Sequence, residues 1–184
     1  MSLLERAPVM KVRDALTGAG LEDTVIELAD SARTAEAAAA AVDCDLGAIV
    51  KSLAFSVGNR FVMALVAGDH TCIEANLPTA LKLRGNVRRP QASEVKGVTG
   101  FTIGGVAPVG LSHPLPIVID ASLKRFDHVY AAAGHPNCVF GISFNDLVRI
   151  TGGVISYTVA QPNEGVEPYR PALRRSKTFQ NAEG

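Results

Sequence analysis

The sequence predicts a single α+β domain, with a mixed, mainly antiparallel sheet flanked by short helices. Three observations carry this reading. Strand-like segments outnumber helical ones. Two pairs of them join as hairpins. One segment, Phe61–Ala67, contains no polar residue and so belongs at the centre of a sheet covered on both faces. The 184 residues fit one domain of ordinary size. With 47% hydrophobic and 20% charged residues, the chain is not of the disordered class.

Pro8–Gly18 reads as the first helix: Val9, Val12 and Leu16 share a stripe, Pro8 suits the first turn, and Gly18 and Gly20 end it. Thr24–Leu28 is a short strand. Thr34 caps a second helix carrying Glu36 and the run Ala37–Ala41, residues of the highest helix propensity. Ile49–Val57 and Arg60–Ala67 form a hairpin across Gly58-Asn59, a two-residue turn that matches the native strand twist. Leu77–Arg84, between Asn76 as cap and Gly85 as stop, and Gln91–Lys96 are short helices. Leu115–Asp120 is a strand. His128–Ala133 and Cys138–Ser143 make a second hairpin around Gly134-His135-Pro136-Asn137. Ser143 caps a last helix, Phe144–Ile150, with Asp146 in its first turn and Gly152 at its end. Val154–Val159 is a final strand. Residues 161–184 carry three prolines and little apolar material, and are expected to form a loose, locally basic tail with Arg170, Arg174, Arg175 and Lys177.

Eighteen basic residues cancel eighteen acidic ones, which excludes a general polyanion binder. Cys44, Cys72 and Cys138 are too few and too scattered for a disulfide framework. With no signal-peptide pattern at the N-terminus and no apolar run of membrane-spanning length, a cytoplasmic location is expected. The zero net charge hides an asymmetry. Lys82, Arg84, Arg88, Arg89 and Lys96 face only Glu94 within fifteen residues, either a solvated surface or a phosphate-facing patch.

Lys51 is the most informative single residue. Alternation along its strand puts it on the face shared by Ile49, Leu53, Phe55 and Val57, so the strand's one charge lies among apolar side chains. Either the lysine snorkels past the strand end or it lines a pocket that receives an anion. A second signal is the stretch Thr99–Gly110, with four glycines and a proline, which prescribes a loop of fixed shape whose amides can approach a ligand closely. It matches neither a P-loop nor a dinucleotide fingerprint. His135 and Cys138 are spaced like half a zinc site with no second half, so no metal is expected. Hydrolase motifs with a protein nucleophile are absent from the sequence.

Taken together, Ile49-Val50-Lys51-Ser52-Leu53, Glu94–Phe101 and Gly104–Gly110 resemble the YbaK/EbsC family, whose fold is also the inserted editing domain of bacterial prolyl-tRNA synthetases. Gly104…Pro108 is similar to that family's G-x-x-x-P loop, and Lys51 to its lysine. The likeness spans roughly residues 8–159. It implies a barrel-like mixed sheet over residues 1–160 and a trans-editing hydrolase that removes a wrong amino acid, alanine or cysteine, from mischarged tRNA for proline. It further implies that Lys51, Gly104 and Gly105 are catalytic. Ser52, Phe101, Val106, Ala107, Pro108, Gly134, His135 and Cys138 would bind the substrate. Lys82, Arg84, Arg88 and Arg89 are the tRNA-facing candidates. Mischarged tRNA is then the partner, prolyl-tRNA synthetase a second candidate, and no cofactor, membrane or DNA is involved. The chain departs from the family pattern at Ala132-Ala133-Gly134-His135 and at Cys138, where the amino-acid pocket should lie. A non-catalytic tRNA- or protein-binding module is the alternative, and an open pocket between Lys51 and the loop would discriminate the two.

Overall fold

A computed structural model describes residues 1–29 and 32–172. Helix α1 is Ala7–Gly18, with Pro8 in its first turn and Val9, Val12 and Leu16 buried. Strand β1 is Ile26–Glu27, and helix α2 is Ala35–Val42, where the Thr34 hydroxyl accepts the Ala37 N–H. Then follow β2 (Ile49–Val57), β3 (Arg60–Ala67), β4 (His70–Cys72), α3 (Leu77–Leu81), β5 (Val87–Arg88) and α4 (Ala92–Thr99). The chain closes with β6 (Ile117–Asp120), β7 (His128–Ala132), β8 (Cys138–Ser143), α5 (Phe144–Thr151), β9 (Val154–Ser156) and β10 (Ala160–Pro162).

The main sheet runs in the order β1-β8-β7-β2-β3-β6-β9, with β5 beside β2. Both hairpins, β2–β3 and β7–β8, are antiparallel as expected. The pairs β2–β7, β3–β6 and β6–β9 are parallel, so the sheet is mixed. A second small sheet pairs β10 with β4. The apolar run of β3 lies between β2 and β6, and Val62 through Ala67 are fully buried. One face of the sheet packs α1, α4 and α5 through Val12, Val95, Phe101, Phe140 and Leu147. The other face packs α3 through Phe55, Val62, Leu77 and Val118, and the small residues of α2 close on Ile49 and Val139.

Several boundaries differ from the sequence reading, each for a local reason. The helix expected over Leu77–Arg84 stops at Leu81, because Lys82 turns into the left-handed region and the Leu83 N–H closes onto the Pro78 carbonyl. Asn76 does not cap it; its side-chain amide donates to the Thr158 carbonyl. Gly85 instead lets the chain approach Gly58, where any Cβ would lie 2.5 Å from backbone. α4 runs on to Thr99, with the Glu94 carboxylate accepting the Gln91 N–H at its start. β6 begins only at Ile117, since Pro116 has no N–H for the ladder. β1 and β9 are shorter than expected. The segment expected to be loose begins in β10, and Arg174, Arg175 and Lys177 lie outside the described residues.

Candidate functional site

β2 has one fully paired edge and one that opens. Toward β3 it is paired from Val50 to Val57. Toward its other neighbours it meets β7 only at Ile49 and Val50, and β5 only at Ser56 and Val57. The interval between is a gap in the sheet, and Lys51 to Ala54 are only half-buried although the strand is central. The sequence supplies one cause. Continuing the Ser56↔Arg88 register would set Pro90 opposite Ala54, and proline has no N–H to donate.

A pocket of about 390 Å³ fills this gap. Its floor is β2 from Val50 to Phe55, its walls are α2, Tyr130 to Ala132, Val95 and Val139, and its rim carries Ile103, Gly104 and Val106. The lining is mostly apolar. Its charged side chains among the described residues are Arg33, Lys51 and Arg89, all cationic. Glu74, outside the lining, already pairs with Arg89, so Lys51 and Arg33 supply the pocket's net positive charge, which suits an anionic ligand or charge that develops on oxygen.

Lys51 lies in this pocket on the strand's apolar face, as the alternation predicts. Its Nζ donates to the His70 carbonyl on β4. Burial pushes its pKa down, opposed by the carboxylates of Asp120 and then Asp69. Ser52 also lines the pocket, and its buried Oγ has no hydrogen-bond partner. An unpaired buried hydroxyl is costly, and a ligand would relieve it.

The glycine loop reaches the pocket through Gly104 and Val106. Gly104 has φ +97°, a conformation that favours glycine, and is exposed at the rim. Gly105 is buried, and its N–H already donates to the Thr102 carbonyl at 2.9 Å. Its missing side chain serves close packing: a Cβ there would lie 2.8 Å from the backbone of His135. The N–H groups of Gly104 and Val106, both at the rim, have no acceptor among the described residues, so they are the donors left for a ligand.

The other sequence-predicted residues divide plainly. Ala107 and Pro108 are buried behind the rim and do not line the pocket. Phe101 is wholly buried in the core beneath α1. Cys138 is wholly buried too, and burial pushes its thiol up to about 11, so it is unreactive. Gly134, at φ +88°, packs on the backbone of Pro8. The His135 ring accepts the Asn137 N–H at Nδ1, within its own turn. Of that hairpin turn, Pro136 reaches the pocket. In the basic patch, Arg88 is held by Glu94 at 2.9 Å and Arg89 by Glu74 at 2.8 Å. Lys82 and Arg84 are exposed and without an ion-pair partner among the described residues. Sequence reasoning missed Arg33 and Tyr130, which lie in no recognisable motif, and β4, which is only three residues long.

Comparison with known proteins bears on this arrangement. A family model described as the aminoacyl-tRNA editing domain matches residues 29–150. The chain belongs to this family. An uncharacterized protein of Bacillus subtilis (strain 168), YwhH, is 33% identical over 137 residues, covering 74% of this chain and 86% of its own length. The proline–tRNA ligase of Bacillus licheniformis is 30% identical over 121 residues, and there the chain spans only 21% of the ligase. A solved structure of a candidate trans-editing enzyme for prolyl tRNA synthetase superposes with a TM-score of 0.75 at 35% identity, covering 82% of this chain and 96% of that one. The editing-domain fold, with its mixed sheet and short helices, is therefore that of this chain. Among the described residues, no helix of this editing domain is long and apolar enough to cross a membrane.

Proposed function

We propose that this editing domain is a trans-acting deacylase that hydrolyses the ester linking a wrong amino acid to tRNA. The observation that carries the reading is the open pocket in which Lys51, the unpartnered Ser52 hydroxyl and the rim of the glycine loop come together. Attack on the ester carbon turns its carbonyl oxygen into an oxyanion, and the N–H groups of Gly104 and Val106 are suited to hold that charge. Gly105, whose N–H is already bonded, seats the loop on the β7–β8 turn. The Lys51 ammonium holds the 3′-terminal phosphate or ribose, with Arg33 adding positive charge to the pocket. The attacking group is a water; its proton passes, by way of the free hydroxyl of the terminal ribose, to the leaving ribose oxygen as the ester opens.

The apolar lining and the absence of a lining carboxylate among the described residues suit a small, uncharged amino acid, alanine or cysteine. The likeness to proline–tRNA ligases supports tRNA for proline as the carrier and the ligase as a functional partner, both in the cytoplasm. The test is a deacylation assay against a panel of mischarged tRNAs. Hydrolysis of alanyl- or cysteinyl-tRNA for proline above the uncatalysed rate supports the reading. No hydrolysis across the panel, with tight tRNA binding retained, assigns the domain to binding alone.

A further inference from the structure

We propose that Asp69, His70 and Arg125 form a positioning cluster that fixes the Lys51 ammonium in the pocket through the main-chain carbonyl of His70. The consequence for rate rests on the deacylase reading; the effect on Lys51 itself does not.

A lysine is a compact charge on a flexible four-carbon stem, and a half-buried one swings toward water unless something holds it. Here the holder is the His70 carbonyl. That carbonyl sits on β4, which has only three residues and would be loosely placed by its own ladder. The surrounding bonds remove that freedom. His70 is 2% exposed, and its Nδ1 lies 2.7 Å from Asp69 Oδ1. Arg125 grips both oxygens of Asp69 at 2.7 and 2.8 Å. The Arg125 Nε–H donates in turn to the Ser122 carbonyl at 2.7 Å. The Ser122 N–H donates to Asp120, whose other oxygen takes the Ala67 N–H at the end of β3. A continuous chain of bonds thus ties β4 to the rigid centre of the sheet.

The opposite side of β4 is held as well. β10 pairs along its whole length, and the Asn163 N–H donates to the Asp69 carbonyl at 3.0 Å. Gly47 makes room for the ion pair, since a Cβ there would lie 2.7 Å from the Arg125 guanidinium and 2.8 Å from the Asp69 carboxylate. Burial pushes the Asp69 carboxyl up, but hydrogen bonds from Arg125 and His70 outweigh it and hold the pKa at about 2. None of the three side chains lines the pocket, so they act through Lys51 and not on the substrate.

The charged and titratable groups around Lys51 are Asp120, Asp69, Glu36 and the Cys72 thiol, with Arg33 and Arg89 in the pocket. Neutralising Asp69 removes one of the carboxylates that support the ammonium, so Lys51 loses its proton at lower pH. The experiment uses Asp69→Asn in the full chain. Three readouts are taken: single-turnover deacylation as a function of pH, the pH titration of the Lys51 Nζ signal by nitrogen-15 NMR, and thermal melting. Expected are a 10- to 100-fold loss in rate, an alkaline limb displaced to lower pH, and a lower Lys51 midpoint. A folded variant whose midpoint and alkaline limb equal the parent's overturns the proposal and leaves the cluster a purely structural role. If Asp69→Asn does not fold, Arg125→Lys keeps the charge and loosens the fork. It should then speed exchange of the Lys51 ammonium protons with water, and unchanged exchange overturns the proposal. If the parent hydrolyses no ester, the deacylase reading fails, and the Lys51 titration alone decides whether the cluster positions it.

Discussion

Gly105→Ala puts one methyl group where the structure leaves no room for it. The added Cβ would lie 2.8 Å from the nitrogen and Cα of His135 and 2.9 Å from the Gly134 carbonyl carbon. All three are backbone atoms, so no side-chain rotation relieves the contact. An ordinary contact begins at 3.4 Å, so the loop must withdraw from the β7–β8 turn by about 0.6 Å. Over-packing of this kind costs about 1–3 kcal/mol. Displacement of reacting groups by about 1 Å costs on the order of 100-fold in rate, so half that distance costs on the order of tenfold. Gly104→Ala acts differently. Its Cβ meets only the Pro136 ring at 3.4 Å, but φ +97° strains any residue with a side chain, by about 1–3 kcal/mol. The assay is single-turnover deacylation of a mischarged tRNA with urea unfolding alongside. A Gly105→Ala protein that folds and keeps the parental rate would refute the argument that this contact sets the loop against the pocket.

Three further outcomes are expected. Neutralising Lys82 and Arg84 should flatten the salt dependence of tRNA binding by roughly one unit each, if they face phosphates. Arg88→Gln should change it far less, because Glu94 already holds that guanidinium; binding titrations at several salt concentrations compare them. Asp69 has its carboxyl held at about 2 in the folded state, below the usual value near 4, so its contribution to stability is complete above about pH 4 and is lost as pH falls toward 2. Urea unfolding across that range should show a smaller acid-induced loss in Asp69→Asn than in the parent. Ser52→Ala removes a buried hydroxyl that has no partner in the free protein, so it should leave stability nearly unchanged or slightly raised and slow deacylation; an unchanged rate would mean that the substrate does not use this hydroxyl.

Local patterns were legible in the sequence and non-local ones were not. The charge of Lys51 on an apolar strand face was visible from alternation alone, and the glycine loop from its composition. The hairpins at Gly58-Asn59 and Gly134–Asn137 announced themselves because the turn residues are adjacent. What stayed hidden depends on register. The gap in β2 arises where β7 stops pairing and Pro90 falls opposite Ala54, and neither fact is written in β2 itself. The partnership of Asp69 with Arg125 spans 56 residues, and no motif joins them. Gln161 and Pro162, at the start of the segment expected to be loose, belong to β10 and are held by backbone pairing to β4, a strand equally short. Phe101 and Cys138, expected to contact substrate, are wholly buried in one core cluster, Cys138 within β8 and Phe101 in the loop after α4, which sequence position does not reveal.

The central claim is that Lys51 works on the substrate and not for the fold. The most direct measurement is Lys51→Ala, assayed for single-turnover deacylation of a mischarged tRNA and for urea unfolding in the same preparation. The side chain is half-buried and lines an open pocket, so its truncation removes no core volume and costs only its bond to the His70 carbonyl, about 1–3 kcal/mol. The account predicts a folded protein whose hydrolysis has dropped to the uncatalysed rate. A folded Lys51→Ala protein that deacylates at the parental rate would contradict it.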